Sequence, residues 1–175
     1  ARALAARGWV CLLPHFRGSW GSHGHYSFSG ILEDTEYFWQ QLLNDPLVDK
    51  KRAAVLGFSM GGWAALNFAA KAKGVKAVVA LAPMAGAGRW FNGQARDKVL
   101  ELARTLEINS KAELWRNFKD TLAERDPLNV VRDIAPRPIL FVHGTHDELV
   151  PYSLGRKLFD RAREPKRFVT VAKAY

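Results

Sequence analysis

The chain has 175 residues, 48% hydrophobic and 25% charged, and its 26 Lys and Arg against 17 Asp and Glu leave a net charge of +9. That size and balance fit one globular domain with its own core and exclude a disordered chain. No apolar run approaches the roughly 18 residues of a membrane span, and Arg2 and Arg7 interrupt the Ala-rich start, so it is no signal peptide.

In chain order, residues 9–13 form a short apolar run before Pro14 and predict a buried strand. Cys11, the only cysteine, allows no internal disulfide or zinc–cysteine site, and a lone thiol fits a reducing, cytoplasmic setting. A Gly/Ser/His loop follows from Arg17 to Gly30. Residues 31–44 predict a helix, with Ser29 as cap, Glu33, Asp34 and Glu36 at its positive end, and Asp45-Pro46 as its stop. Residues 53–56 are the next strand, running into Gly57-Phe-Ser-Met-Gly-Gly62 and an Ala-rich helix with Gly74 placed to close it.

Residues 75–82 and 139–142 predict further strands, 154–163 a helix and 168–172 a last strand. Strands separated by helices imply a parallel sheet covered on both faces, an α/β fold. Residues 84–135 break the rhythm with two helical patterns, the second opened by the capping box Ser110-Lys-Ala-Glu113. Such an insertion fits a helical cap over the sheet within a single domain spanning 1–175. Seven Lys and Arg from Arg156 to Lys173 face only Asp160 and Glu164. With no nucleic-acid motif beside them, they read as a solvated face.

Gly57-Phe-Ser-Met-Gly61 is a G-x-S-x-G motif between a strand and a helix. A tight turn there strains Ser59 and exposes its hydroxyl at the carboxyl end of the sheet. The flanking glycines remove side chains that would clash, and the Met60 N–H faces a developing oxyanion. Ser59 is therefore the candidate nucleophile. Such a serine needs a base, and the base a carboxylate to orient it. Asp147, on the loop after the strand ending at Val142, is the candidate, with Glu148 as competitor; a turn Asp capping the next helix is the structural alternative.

Three stretches together resemble the α/β-hydrolase superfamily across residues 9–172: Phe16-Arg-Gly-Ser-Trp-Gly-Ser22, Gly57-Phe-Ser-Met-Gly-Gly62, and His143-Gly-Thr-His-Asp147 with Val150-Pro151. Within it the chain looks most like the prolyl-oligopeptidase-like serine hydrolases, and compact esterases share the same residues. The resemblance implies a triad in the order Ser, acid, His. No His follows His146, and the family's base comes just after the last strand, so it is expected just beyond Tyr175. The family's first strands and its second oxyanion loop would precede Arg7. One of those strands would lie between 9–13 and 53–56, so the chain reads as part of a longer protein.

The other candidates are weaker. His143 matches a non-catalytic family histidine, and His146 is too close in sequence to bridge Asp147 and Ser59. His15, His23 and His25 match no familiar zinc spacing. Trp90 and Phe91 in the insertion are candidates for lining a substrate pocket, with core packing as the commoner role of such an aromatic pair. The expected function is a serine hydrolase acting on a small-molecule ester or peptide through an acyl-enzyme. No cofactor, metal, nucleic acid or membrane is implied, and oligomeric state is unreadable. The alternative is a catalytically silent binding domain; a Cys-dependent, dienelactone-hydrolase-like enzyme is disfavoured by the serine at position 59.

Overall fold

The computed structural model describes residues 1–88 and 93–174. Strands β1 (Ala54–Phe58), β2 (Ala77–Leu81), β3 (Ile139–Gly144) and β4 (Lys166–Val171) lie side by side in chain order, every pair parallel. Helix α3 (Met60–Lys71) connects β1 to β2, and α7 (Tyr152–Arg161) connects β3 to β4. Helices α4 (Gly93–Leu102), α5 (Lys111–Glu124) and α6 (Pro127–Val130) lie between β2 and β3. Helix α2 (Phe28–Asn44) precedes β1, and α1 (Arg2–Ala5) is a single turn. This is the α/β architecture that the alternating pattern predicts. The central strands β2 and β3 are almost wholly apolar because parallel strands have helices on both faces, while the edge strand β4 carries Lys166, Arg167 and Thr170.

The helix after the nucleophile motif is the structural centre. Trp63, Ala64, Ala65, Leu66 and Ala69 of α3 are all buried, and the alanines let its backbone approach the sheet closely. The Trp63 indole N–H donates to the Arg125 carbonyl at 2.8 Å, and Asn67 Nδ2 donates to the same carbonyl at 2.9 Å. These bonds tie the far end of the insertion to α3. One apolar cluster joins Phe28, Ile31, Trp63, Phe118 and Leu122, with the rings of Phe28 and Phe118 4.7 Å apart, edge to face. Truncating Phe118 to Ala would cost about 3–5 kcal/mol. A second cluster, around Leu66, Val78, Phe141 and Leu158, packs on the sheet.

Four local expectations are corrected. Residues 9–13 are not a strand: they are unpaired with the sheet, and Trp9 and Leu13 are 49% and 65% exposed. A strand needs a ladder partner, and β1, the nearest strand, does not hydrogen-bond to them. Between them lies a groove of about 390 Å³ lined by Leu12, Leu13, Phe38, Leu56, Phe58 and Phe68. Second, α2 starts earlier than predicted, capped by Ser27, whose Oγ accepts from Gly30 N at 3.0 Å. Ser29 lies inside the helix, where its Oγ accepts from Asn117 Nδ2 at 3.0 Å.

Third, α3 ends at Lys71, with Ala72 extended as its C-cap, so Gly74 does not close it. Arg137 donates to the Ala72 carbonyl at 2.7 Å and fills the role of a cap. Fourth, the capping box at α5 is half-formed. Ser110 Oγ accepts from Glu113 N at 3.1 Å, while the Glu113 carboxylate turns to Asn109 Nδ2 at 2.9 Å. Among the described residues no helix is long and apolar enough to cross a membrane.

Candidate active site

Ser59 sits between β1 and α3 with φ 52° and ψ −114°, in the left-handed half of backbone space that non-glycine residues rarely occupy. Three backbone bonds hold it there. Ser59 N donates to Leu81 O at 2.9 Å, and Ser59 O accepts from Trp63 N at 3.1 Å and Met84 N at 3.0 Å. The turn thus grips the end of β2 and the loop beyond it. Two glycines make room. A Cβ on Gly57 would collide with the backbone of Gly61, and one on Gly62 would lie 2.9 Å from both Cα and Cβ of Pro83. Gly61 differs from the expectation for flanking glycines: a Cβ there meets nothing within 4 Å.

Met60 is the first residue of α3, so its backbone N–H has no acceptor within the helix and lies at the helix's positive end. Its side chain is pinned from the Gly/Ser/His loop, where the Tyr26 hydroxyl lies 2.9 Å from Met60 Sδ. Burial raises the Tyr26 pKa well above the usual phenol value. The loop itself is anchored by Arg17, whose backbone N–H and Nε each donate to the Asp34 carboxylate at 2.8 Å, and which also pairs with Glu33 at 3.0 Å. The Asp34 hydrogen bond holds the Arg17 guanidinium in its charged form. Asp34, expected only to favour the helix's positive end, thus anchors the loop. Arg and Asp 17 residues apart carry no spacing signal in the sequence.

Asp147 leaves the carboxyl end of β3. Its Oδ1 accepts from Leu149 N at 3.0 Å and Val150 N at 2.7 Å, and its Oδ2 lies 3.5 Å from His143 Nε2. Glu148 beside it is exposed. Ser59 and Asp147 therefore stand at the same end of the sheet, on strands about 10 Å apart, two strand spacings, with β2 between them. His143 is buried, its Nε2 2.8 Å from Val150 O. His146 has Nδ1 3.1 Å from Thr145 Oγ1 and its backbone N–H on Ala174 O at 2.9 Å. The segment after β4 thus runs along the Asp147 loop. Trp90 and Phe91 lie outside the described residues. Among the described residues no group of three His, Cys, Asp or Glu could hold a metal.

A parallel sheet with a strained serine turn after one strand and a carboxylate loop two strands away defines the α/β-hydrolase fold. The chain belongs to the prolyl oligopeptidase family, whose model matches residues 1–172. The α/β hydrolase GrgF from Penicillium sp. sh18 superposes with a TM-score of 0.78 at 23% identity, covering 99% of this chain and 74% of that one. Est1E from Butyrivibrio proteoclasticus, solved with ferulic acid, gives 0.67 at 20% identity, covering 90% and 65%. In sequence the chain is 24% identical to the uncharacterized protein YfhR of Escherichia coli K12 over 96% of this chain and 53% of that protein. It is 27% identical to "Putative esterase YitV" of Bacillus subtilis strain 168 over 91% and 66%. The chain thus spans about half the length of the first of the curated relatives it matches.

Proposed function

We propose that the chain carries the nucleophile and the acid of a serine hydrolase that cleaves an ester or amide bond through an acyl-enzyme. The observation that carries this is the backbone of Ser59, strained at φ 52° and clamped between β1, β2 and α3. Such strain marks functional positions, because the surrounding structure must over-determine it. The Ser59 hydroxyl attacks the substrate carbonyl carbon, and a histidine takes its proton. The oxyanion forms beside the Met60 N–H. The histidine returns the proton to the leaving group, and water then cleaves the acyl-serine by the same steps.

Asp147 orients that histidine. Two backbone N–H groups fix its Oδ1, leaving Oδ2 as the side that meets an imidazole; exposed Glu148 has no such anchoring among the described residues. The histidine comes from the segment following β4, which the Ala174 bond to His146 and the Lys173 N–H on Thr145 Oγ1, at 2.9 Å, hold against the acid loop. The insertion acts as the cap of the acyl pocket, and the substrate is a small ester or peptide. Esterase names among the relatives and neighbours favour an ester.

The test is Ser59→Ala in the intact protein. Turnover of a p-nitrophenyl ester should fall about a thousandfold or more, with the circular dichroism spectrum unchanged. A fluorophosphonate probe should label Ser59 and nothing in the variant. Full activity in the variant would assign the attack elsewhere. No labelling and no turnover in the wild type would favour a silent binding domain.

A further inference from the structure

We propose that Asp126 is a positioning residue for substrate, holding the loop that leaves β2 as a fixed wall beside Ser59. The proposal rests on the hydrolase reading above. Asp126 is the N-cap of α6, and its Oδ1 accepts from Leu128 N at 3.0 Å. That bond suffices for a cap. The carboxylate does more: Oδ1 also accepts from Gly86 N at 3.1 Å, and Oδ2 from Ala87 N at 2.8 Å. These two bonds cross about forty residues of chain and contribute nothing to α6.

They act on a loop already gripped at its other end by the nucleophile. Met84 N donates to Ser59 O at 3.0 Å, after a turn in which Ala82 has φ 41°. Gly86 follows with φ 72°, where a Cβ would lie 3.0 Å from Leu154 Cδ2. The loop leaves the carboxyl end of β2, between the serine turn on β1 and the acid loop on β3. Ligands of open parallel sheets sit outside the carboxyl ends of the strands. On this proposal an acyl group bonded to Ser59 runs beside this loop, whose two consecutive N–H groups have the Asp126 carboxylate as their acceptor. Asp126 itself touches no reacting atom; it acts through the loop.

The test separates the cap from the wall. Asp126→Ser keeps one oxygen, on a side chain one atom shorter, to cap Leu128 N; it lacks the second oxygen that Ala87 N uses and falls short of Gly86 N. Asp126→Asn keeps an acceptor at the Oδ1 position. In the intact protein, Asp126→Ser should raise KM for p-nitrophenyl hexanoate about fivefold or more with kcat within about twofold. Its melting temperature should stay within a few degrees, and amide exchange should quicken in a peptide spanning 84–88 but not at α6. Asp126→Asn should recover most of the KM. Unchanged KM and unchanged exchange at 84–88 in Asp126→Ser would overturn the proposal. So would KM, kcat and melting temperature worsening together, with Asn no better than Ser. If the wild type neither turns over an ester nor takes the fluorophosphonate label, the hydrolase reading fails on its own, and exchange at 84–88 still decides whether Asp126 holds the loop.

Discussion

The imidazole of His143 stands against Gly155, the fourth residue of α7, so closely that no side chain fits between them. A Cβ on Gly155 would collide with His143 Nδ1 and lie 3.1 Å from its Cγ and 3.2 Å from its Cε1. The other nitrogen, Nε2, lies 2.8 Å from Val150 O. A carbonyl only accepts, so Nε2 carries the proton, and the bond closes the turn that holds Asp147. Gly155→Ala must therefore push the ring off Val150. Overpacking of this kind costs about 1–3 kcal/mol. Urea denaturation should show that loss, and ester turnover should fall further than stability because the acid loop loses its tie. A variant with wild-type stability and activity would contradict this role for Gly155.

Asp147 and Glu148 are adjacent carboxylates with different surroundings, and the difference ranks their variants. Asp147→Asn should lower kcat/KM about a thousandfold or more by mis-setting the histidine tautomer. Its Oδ1 acceptor survives, so the loop keeps its two backbone bonds and the melting temperature changes little. Glu148→Gln alters an exposed side chain and should cost far less. Steady-state kinetics on both variants check the order, and the reverse ranking would sink the assignment of Asp147.

Gly61 and Gly62 look equivalent in the sequence and are opposite in space. Nothing lies within 4 Å of a Cβ on Gly61, whereas one on Gly62 meets Pro83 at 2.9 Å. Gly61→Ala should be tolerated and raise stability by up to about 1 kcal/mol, since alanine is the better helix residue. Gly62→Ala should push Pro83 away, loosen the Met84 bond to Ser59 and lower both stability and turnover. Thermal melts and ester assays on the pair give the answer. A stable, active Gly62→Ala would mean that the loop after β2 yields more easily than its burial implies.

These contrasts show where the sequence is legible. The strand–helix alternation and the G-x-S-x-G turn could be read because each is a local pattern. Strand and helix ends shifted by a few residues because tertiary partners set them: Arg137 rather than Gly74 meets the last turn of α3, and Ser27 rather than Ser29 caps α2. Anchors between distant segments were not legible at all. Arg17 to Asp34, Tyr26 to Met60 and Asp126 to Gly86 and Ala87 join residues that no periodicity connects. Residues 9–13 show the same limit in reverse. Their apolar run has the composition of a strand, but a run becomes a strand only where a partner completes its ladder.

That missing ladder leads to the last prediction. Among the described residues β1 pairs with β2 alone, and its Leu56 and Phe58 are 55% and 65% exposed. The groove between β1 and residues 9–13, about 390 Å³ and lined by apolar side chains, suits an extended segment, since adjacent strands lie about 4.8 Å apart. A strand there would satisfy the free β1 backbone groups and cover the exposed parts of Leu56 and Phe58, a gain of about half the 1.5–3 kcal/mol that full burial of such a side chain contributes. We expect a segment of the intact polypeptide outside these 175 residues to fill it. The outward-facing β1 amides should then exchange slowly in the intact protein. In the isolated 175-residue chain they should exchange fast, and that chain should bind a hydrophobic dye and self-associate through the open edge. Equal exchange in both, with cooperative unfolding and no dye binding by the isolated chain, would show that the edge needs no partner strand.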